Sequence, residues 1–284
     1  MSSLSVVPCP GVPAQPLSAP LSVPPAAGFG SIAPAADGRT VFAILSALPQ
    51  EQAGLLASLR RPSRLVHAGR DFWVGELHGH PVVLGLSKIG KVAAATTAAA
   101  LIERFGVGRI VFTGVAGGLK KGVNAGDVVV ASSFLQHDLD VSPLYPQFEV
   151  PFHGRARFST DSAMSQQLWV AAQAALADSA ASSGFADSSV HTGLIASGDR
   201  FMGAASGSLA LQTTLLAAGH DALAVEMEGA AVAQVCHDYD VPFAAVRTIS
   251  DRADDGAHVD FQDFVDTVAG DYACRILCHF LMAL

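Results

Sequence analysis

The sequence predicts a single three-layer α/β/α domain, in which helices cover both faces of a mixed, mostly parallel central sheet. Three observations support this class. From residue 41 onward, short apolar runs typical of buried strands alternate with alanine-rich runs typical of helices. The chain has 284 residues, half of them hydrophobic, which is enough for one large core. Neither an internal repeat nor a linker interrupts residues 41–284, so we expect one domain there.

The elements follow from runs of apolar residues and the glycine-containing segments between them. Predicted strands cover residues 41–47, 71–77, 80–86, 109–113, 127–131, 191–197, 222–227 and 242–250. Predicted helices cover residues 50–59, 90–105, 165–179 and 229–238, with one long final helix over 261–284. The second and third strands form a hairpin that turns at His78-Gly79. The glycine-rich segment 113–118 is predicted to be a turn after the fourth strand.

Residues 1–40 have a different composition, rich in Pro, Ala, Ser and Gly. Such a segment buries too little apolar surface to offset its ordering entropy, so we expect a disordered extension. Prolines interrupt each of its apolar runs, which argues against a signal peptide. No apolar run in the chain reaches the roughly 18–20 residues of a membrane-spanning helix. The sequence therefore predicts a cytoplasmic protein without a membrane partner.

The charge balance restricts the partners further. A formal net charge of -8 repels phosphate backbones, so we expect no nucleic-acid partner. Only 15% of residues are charged, which favours an apolar interface between subunits. His137, Asp138 and Asp140 could be considered as metal ligands, but side chains alternate along a strand and cannot all reach one ion. We predict structural hydrogen bonds for them, and neither a metal nor a cofactor.

Polar or glycine residues directly follow five of the predicted strands, in segments 46–51, 113–118, 198–202, 225–228 and 250–254. Ligands of α/β sheets bind outside the carboxyl ends of the strands, so these segments predict a common cleft. The segment 113–118 lacks the P-loop Lys-Ser/Thr and the GxGxxG spacing of nucleotide sites. Close backbone approach to a flat or neutral ligand fits it better.

Acidic residues in these segments each have two interpretations. Asp251, which follows Ser250 at a strand end, is either the N-cap of the next helix or a general acid. Glu226 and Glu228 either complement a helix dipole or accept the vicinal hydroxyls of a ribose. Glu51 taken alone is an ordinary first-turn glutamate. Spacing does not choose between these interpretations.

The order of the motifs is more specific than any one of them. Along the chain lie Ser46-Ala-Leu with Glu51, Ser87-Lys-Ile-Gly-Lys, Thr113-Gly-Val-Ala-Gly-Gly, Gly126-Asp-Val, His137-Asp-Leu-Asp, Gly193-Leu-Ile-Ala-Ser-Gly-Asp199, Val225-Glu-Met-Glu-Gly229 and Arg247-Thr-Ile-Ser-Asp251. This series closely resembles the 5′-methylthioadenosine/S-adenosylhomocysteine nucleosidases of the purine nucleoside phosphorylase superfamily. The resemblance covers residues 41–284. It implies a nucleoside phosphorylase-like fold and a homodimer.

The resemblance also implies catalytic roles. Asp251 corresponds to the acid that protonates N7 of adenine, and Ser250 supports its position. Glu51 corresponds to the carboxylate that activates the attacking water. Glu228 corresponds to the residue that binds the ribose hydroxyls, while Met227 packs against the sugar.

Substrate contacts are implied at further positions. Phe201 corresponds to the aromatic residue that stacks on adenine, and the Met202 backbone to the group that binds the edge of the base. Arg247 lies near the ribose and the carboxylates, and Phe261 lines the pocket for the 5′-alkylthio group. The other positions implied are Ile89 and Val115 in the same subunit, where Val115 replaces a frequent serine, and Val141, Leu144 and Pro151 in the site of the neighbouring subunit.

Hydrolysis and phosphorolysis are the alternatives that the superfamily offers. The phosphorylases hold phosphate with arginines and a serine, whereas segment 46–51 has no arginine and the second region has Phe112 and Val115. A buried phosphate without such donors would cost several kcal/mol, so we expect water to be the nucleophile. A hydrolase for aminodeoxyfutalosine or 5′-deoxyadenosine, and a non-catalytic nucleoside-binding protein, are the other hypotheses.

Overall fold

The computed structural model describes residues 40–179, 188–254 and 257–284. The predicted N-terminal extension lies outside the described residues, apart from Thr40, and its disorder stays a prediction. In the described part of the chain, no helix is long and apolar enough to cross a membrane.

Strands and helices alternate through most of the described chain, as predicted. The strands are β1 (Phe42–Ser46), β2 (Arg60–His67), β3 (Arg70–Leu77), β4 (His80–Leu86), β5 (Arg109–Gly118), β6 (Val128–Gln136), β7 (Arg157–Ser159), β8 (Val190–Ser197), β9 (Ala222–Glu226) and β10 (Phe243–Asp251). The helices are α1 (Pro49–Ser58), α2 (Lys91–Phe105), α3 (Ser162–Ser179), α4 (Ala205–Ala217), α5 (Gly229–Asp238), α6 (Ala257–Phe264) and α7 (Gly270–Met282), with a π-helical turn at Val265–Ala269.

All of these strands belong to one sheet, in the order β10-β6-β8-β9-β5-β1-β4-β3-β2, with β7 paired to β6. Because β10 also pairs with β5, the strands β5, β10, β6, β8 and β9 close into a ring. Five pairings between the described strands are parallel and five are antiparallel. The predicted mixed sheet is confirmed, although parallel pairing does not dominate.

Helices cover both faces of the sheet, and each face has its own apolar core. One core packs the α2 and α5 side chains, such as Leu101 and Val232, against the sheet. The other packs side chains of α1, α3 and α7, such as Leu55, Leu168 and Leu277, against the opposite face. The predicted three-layer α/β/α architecture is therefore confirmed.

The glycine-rich segment is not the predicted turn, because β5 continues through it to Gly118. Gly114 pairs with Arg247, and Gly117 with Asp251, on the adjacent strand β10. A Cβ added at Gly114 would lie 3.2 Å from Glu51 Oε1, and one at Gly117 would lie 3.0 Å from Asp251 Oδ1. These glycines allow two carboxylates to lie directly against the strand.

The predicted final helix was wrong in its start and its continuity. Helix α6 begins at Ala257, and the π-helical turn separates it from α7. A Cβ on Gly270, the first residue of α7, would lie 2.6 Å from the Gln50 carbonyl oxygen, so the chain packs tightly against α1 there. Sequence patterns also missed β2, β7 and α4. Helix α4 was missed because its Ala, Ser and Thr residues show no apolar periodicity.

Candidate active site

A cavity of about 310 Å³ lies at the carboxyl ends of β1, β5, β9 and β10. This is the position that the strand-end argument predicts. The residues predicted to act within one subunit all line it: Glu51, Ile89, Val115, Phe201, Met202, Met227, Glu228, Arg247, Ser250, Asp251 and Phe261.

Glu51 lies in the first turn of α1 and is 1% exposed. Its Oε2 accepts hydrogen bonds from the backbone N–H groups of Ala47 (2.8 Å) and Leu48 (2.9 Å). Its Oε1 accepts one from the Val115 N–H (3.1 Å), across the space that Gly114 leaves open. Burial raises the pKa of the Glu51 carboxyl, although these amides and the charge of Arg247 oppose the shift. These hydrogen bonds fix the carboxyl group in position at the cavity wall.

Asp251 ends β10 and is 3% exposed. Its Oδ2 accepts a hydrogen bond from Ser250 Oγ (2.7 Å), and its Oδ1 accepts one from the Ala253 N–H (2.7 Å). Helix α6 begins only at Ala257, so the alternative that Asp251 caps this helix is wrong. The structure places Asp251 at the cavity wall with a serine directly beside its carboxyl group.

The two carboxylates around Met227 each accept a hydrogen bond at a helix start, as the helix-dipole interpretation predicts, but at different helices. The ribose-binding role of Glu228 stays a prediction. Glu226 accepts a hydrogen bond from the Gly229 N–H (2.9 Å), the first residue of α5, and thus complements the helix start. Glu228 turns instead toward the start of α2, where its Oε1 accepts the Gly90 N–H (2.7 Å). Burial, and then the neighbouring Glu226 charge, raise the pKa of Glu228.

Arg247 is 1% exposed and is one of the largest fully buried side chains. Its guanidinium donates to Glu226 Oε2 (2.8 Å) and to the carbonyl oxygens of Phe112 (3.0 Å) and Val246 (3.1 Å). The guanidinium carbon also lies 4.0 Å from the centre of the Phe112 ring, a cation–π distance. Sequence analysis gave Glu226 no definite role, although its position at the end of a predicted strand marked it as a candidate.

The outer part of the cavity is apolar except for the exposed side chain of Arg200. Phe201 and Phe261 meet edge to face with ring centres 5.7 Å apart. Phe201 is 44% exposed and Ile89 is 59% exposed, so the cavity opens between them. Met202 lies beside Phe201. The apolar part of this opening suits a flat ring or an alkyl group.

The three residues predicted to act in a neighbouring subunit do not line this cavity, judged over the described residues. Val141, Leu144 and Pro151 belong to the segment between β6 and β7, where Leu144 is 81% exposed. Asp138 pairs with Lys91, and Asp140 accepts a hydrogen bond from the Ser142 N–H (2.9 Å). These contacts agree with the structural hydrogen bonding predicted for the two aspartates, whereas the buried Nε2 of His137 has no hydrogen-bond partner among the described residues.

Comparison with known proteins agrees with this geometry. Residues 41–282 match the family model described as the Phosphorylase superfamily, and the chain belongs to that superfamily. A 5′-methylthioadenosine/S-adenosylhomocysteine nucleosidase of Shewanella pealeana is 35% identical over 85% of this chain and 98% of its own length.

Two solved structures are also similar. The nucleosidase of the same name from Neisseria meningitidis, in complex with methylthio-immucillin-A, is 34% identical, with a TM-score of 0.77 over 86% of this chain and 100% of that one. The futalosine hydrolase of Helicobacter pylori is 30% identical, with a TM-score of 0.75 over 86% of this chain and 98% of that one. Within the superfamily, the chain thus belongs with the 5′-methylthioadenosine/S-adenosylhomocysteine nucleosidases.

Proposed function

We propose that this protein hydrolyses the N-glycosidic bond of 5′-methylthioadenosine and S-adenosylhomocysteine, releasing adenine and the 5′-thio-ribose product. The observation that carries the proposal is the set of buried carboxyl groups, Glu51, Glu228 and Asp251, in one cavity with an apolar opening. The names of the similar proteins agree with it.

Asp251 is proposed as the general acid. Adenine is a poor leaving group as an anion, so protonation at N7 during bond cleavage lowers the barrier. The carboxyl group is held on both oxygens, by Ser250 Oγ and the Ala253 N–H, which fixes its direction. Phe201, at the exposed edge of the cavity, would stack on the base and keep N7 in reach.

Glu51 is proposed as the general base. As the bond to adenine breaks, C1′ of the sugar gains oxocarbenium character and is captured by water. A water molecule attacking C1′ must lose a proton. The Glu51 carboxyl, with its raised pKa and fixed position, fits that task.

Glu228 and Met227 are proposed to hold the ribose. A single carboxylate can accept the protons of two vicinal hydroxyls, and Glu228 lines the cavity close to Glu51 and Arg247. Met227 supplies an apolar contact to the sugar. The 5′-alkylthio group would extend toward Ile89 and Phe261, where the lining is apolar.

Backbone amides that could bind a phosphate already hold a carboxylate, and this favours water over phosphate as the nucleophile. The N–H groups of Ala47, Leu48 and Val115 converge as in a small anion site, but they hold the Glu51 carboxylate. A phosphate dianion would meet that carboxylate and find these donors taken. The buried Arg247 is engaged by Glu226 as well.

We also propose a cytoplasmic homodimer. Leu144, Phe152, Ile89 and Val92 are between 59% and 93% exposed, and an interface between subunits would remove such apolar side chains from water. In this proposal Val141, Leu144 and Pro151 complete the 5′ end of the partner's cavity. Sedimentation analysis and cell fractionation would test the dimer and the location.

The decisive experiment is an adenine-release assay on purified protein, with and without inorganic phosphate. The panel contains 5′-methylthioadenosine, S-adenosylhomocysteine, aminodeoxyfutalosine and 5′-deoxyadenosine. We expect the highest kcat/KM on the first two and no dependence on phosphate. Strict dependence on phosphate would indicate a phosphorylase, a preference for aminodeoxyfutalosine a different hydrolase, and binding without turnover a nucleoside-binding protein.

A further inference from the structure

The Glu226 carboxylate accepts more hydrogen bonds from the protein than a carboxylate that only contacts a substrate would need. The side chain is 3% exposed. Its Oε1 accepts hydrogen bonds from Ser197 Oγ and from the N–H groups of Glu228 (3.3 Å) and Gly229 (3.0 Å). Its Oε2 accepts the Gly229 N–H (2.9 Å) and both Nε (3.3 Å) and NH2 (2.8 Å) of Arg247. The carboxylate is thus held by β8, by the start of α5 and by β10.

Arg247 is the buried cation of the cavity wall, and three acidic residues compete for it. Its charge acts on both Glu51 and Glu228, yet its direct ion pair is with Glu226. Its Nη1 donates hydrogen bonds to the carbonyl oxygens of Phe112 and Val246, so the guanidinium is fixed on two sides. The guanidinium therefore cannot turn to pair with Glu51 or Glu228 without breaking several buried contacts.

We propose that Glu226 is a positioning residue of this site, which binds Arg247 so that neither Glu51 nor Glu228 is captured by it. The proposal rests on the hydrolytic function given above. A direct ion pair with Arg247 would make Glu51 a weaker base. It would also occupy the lone pairs with which Glu228 is to accept ribose hydroxyls.

The charges that face this pair come from several elements. Glu51 lies on α1, Glu228 directly before α5, and His137 directly after β6. Electrostatic interaction with Glu226 acts on both Glu228 and His137. Removing the Glu226 charge would end one repulsion on Glu228 and leave Arg247 uncompensated. The first change favours the ionised form of Glu228, and the second favours the ionised forms of both Glu51 and Glu228.

The test is Glu226→Gln, assayed beside the wild-type chain for adenine release from 5′-methylthioadenosine between about pH 4 and pH 9. We expect kcat to fall roughly 10- to 100-fold, because the base is weakened and Arg247 loses its charge partner. The acidic limb of the pH profile of kcat should shift to lower pH by about one pH unit. Glu226→Asp keeps the charge and should keep the wild-type limb, even where its shorter reach lowers kcat.

Ser197→Ala is the matched control, because it removes a hydrogen bond to Glu226 but leaves the charge and the Arg247 contact in place. It should leave the pH limb unshifted. A pH profile and a kcat equal to those of the wild type in Glu226→Gln would overturn this inference and leave the proposed function standing.

Equal losses of kcat in Glu226→Gln and Ser197→Ala, with the acidic limbs of both pH profiles unshifted, would also overturn it, since they indicate a structural role alone. If Glu226→Gln does not fold, a shifted limb in Glu226→Asp overturns it. Absence of turnover in the wild-type chain would overturn both.

Discussion

The inner wall and the outer rim of the cavity differ in how firmly their residues are held. The inner wall comprises Glu51, Glu226, Glu228, Arg247 and Asp251, which are all between 1% and 7% exposed. The rim comprises Ile89, Phe201, Met202 and Phe261, of which two are more than 40% exposed. Glu51, Glu226, Glu228 and Asp251 lie at a strand end or a helix start, whereas Arg247 lies in the middle of β10. Hydrogen bonds hold the side chains of the wall, whereas the side chains named for the rim have apolar contacts.

This difference is the one that the proposed roles of the two regions require. Proton transfer and charge stabilisation need groups that are fixed and desolvated, because electrostatic interactions are strongest there. Recognition of a flat base and an alkyl group needs apolar area, which tolerates some movement. If the division is correct, substitutions in the wall should lower kcat, while substitutions in the rim should mainly raise KM.

The largest effect is expected for Asp251→Asn. Asparagine can still accept the Ala253 N–H and can donate to Ser250 Oγ, so the local structure should persist. It cannot supply the proton for N7, so we expect kcat to fall roughly 10⁴-fold with little change in substrate binding. Steady-state kinetics and calorimetric titration would measure the two quantities. An unchanged kcat would refute the role of Asp251 as the acid.

Glu51→Gln should lower kcat next most, by roughly 10³-fold, with a smaller rise in KM. One of its oxygens becomes an amide nitrogen that faces a backbone N–H, so a thermal unfolding curve is needed to show that the variant is folded. A folded variant whose KM rises while kcat is retained would place Glu51 in binding rather than in proton transfer.

Burial of the Glu228 carboxylate should lower the free energy of unfolding at high pH, and Glu228→Gln tests this expectation. The folded-state pKa of Glu228 is raised above its usual value, so the folded chain binds its proton more tightly than the unfolded chain does. The contribution of Glu228 to stability is therefore present at low pH and lost as pH rises through the raised pKa. We expect Glu228→Gln to gain roughly 1–3 kcal/mol over wild type at pH 9 and almost nothing at pH 4. Tm values equal to wild type at pH 9 would contradict this.

Phe201→Leu in the rim should have the smallest effect. Leucine keeps apolar area but loses the ring that would stack on adenine, a contact worth about 1 kcal/mol. We expect KM to rise roughly fivefold while kcat changes less than twofold. A fall in kcat as large as that of Glu51→Gln would show that wall and rim are not functionally distinct.

Much of this site can be predicted from the chain alone. The alternation of apolar strands and helices places Glu51, Glu228 and Asp251 at strand ends, and strand ends of α/β sheets meet at one edge. The family resemblance assigned Phe201, Met227 and Arg247 to the same cleft, and all of them line it. Local periodicity is enough to place the strand ends because it depends on residues close in sequence, whereas the assignment of these three residues came from the resemblance alone.

Only the tertiary structure decided which acidic residue forms the ion pair with the buried arginine. Arg247 pairs with Glu226, 21 residues away on another strand, and spacing could not separate that pairing from one with Glu228 or Glu51. The pairing of β10 with β5 could not be predicted from the sequence either. Because of this pairing, Gly114 and Gly117 are strand residues, and their lack of a side chain lets two carboxylates approach the strand. The amino-acid sequence by itself determined the layers, the strand ends and the acidic residues that gather there. Folding determined which carboxylate binds the arginine and which are left to line the cavity, because buried ion pairs depend on three-dimensional contact.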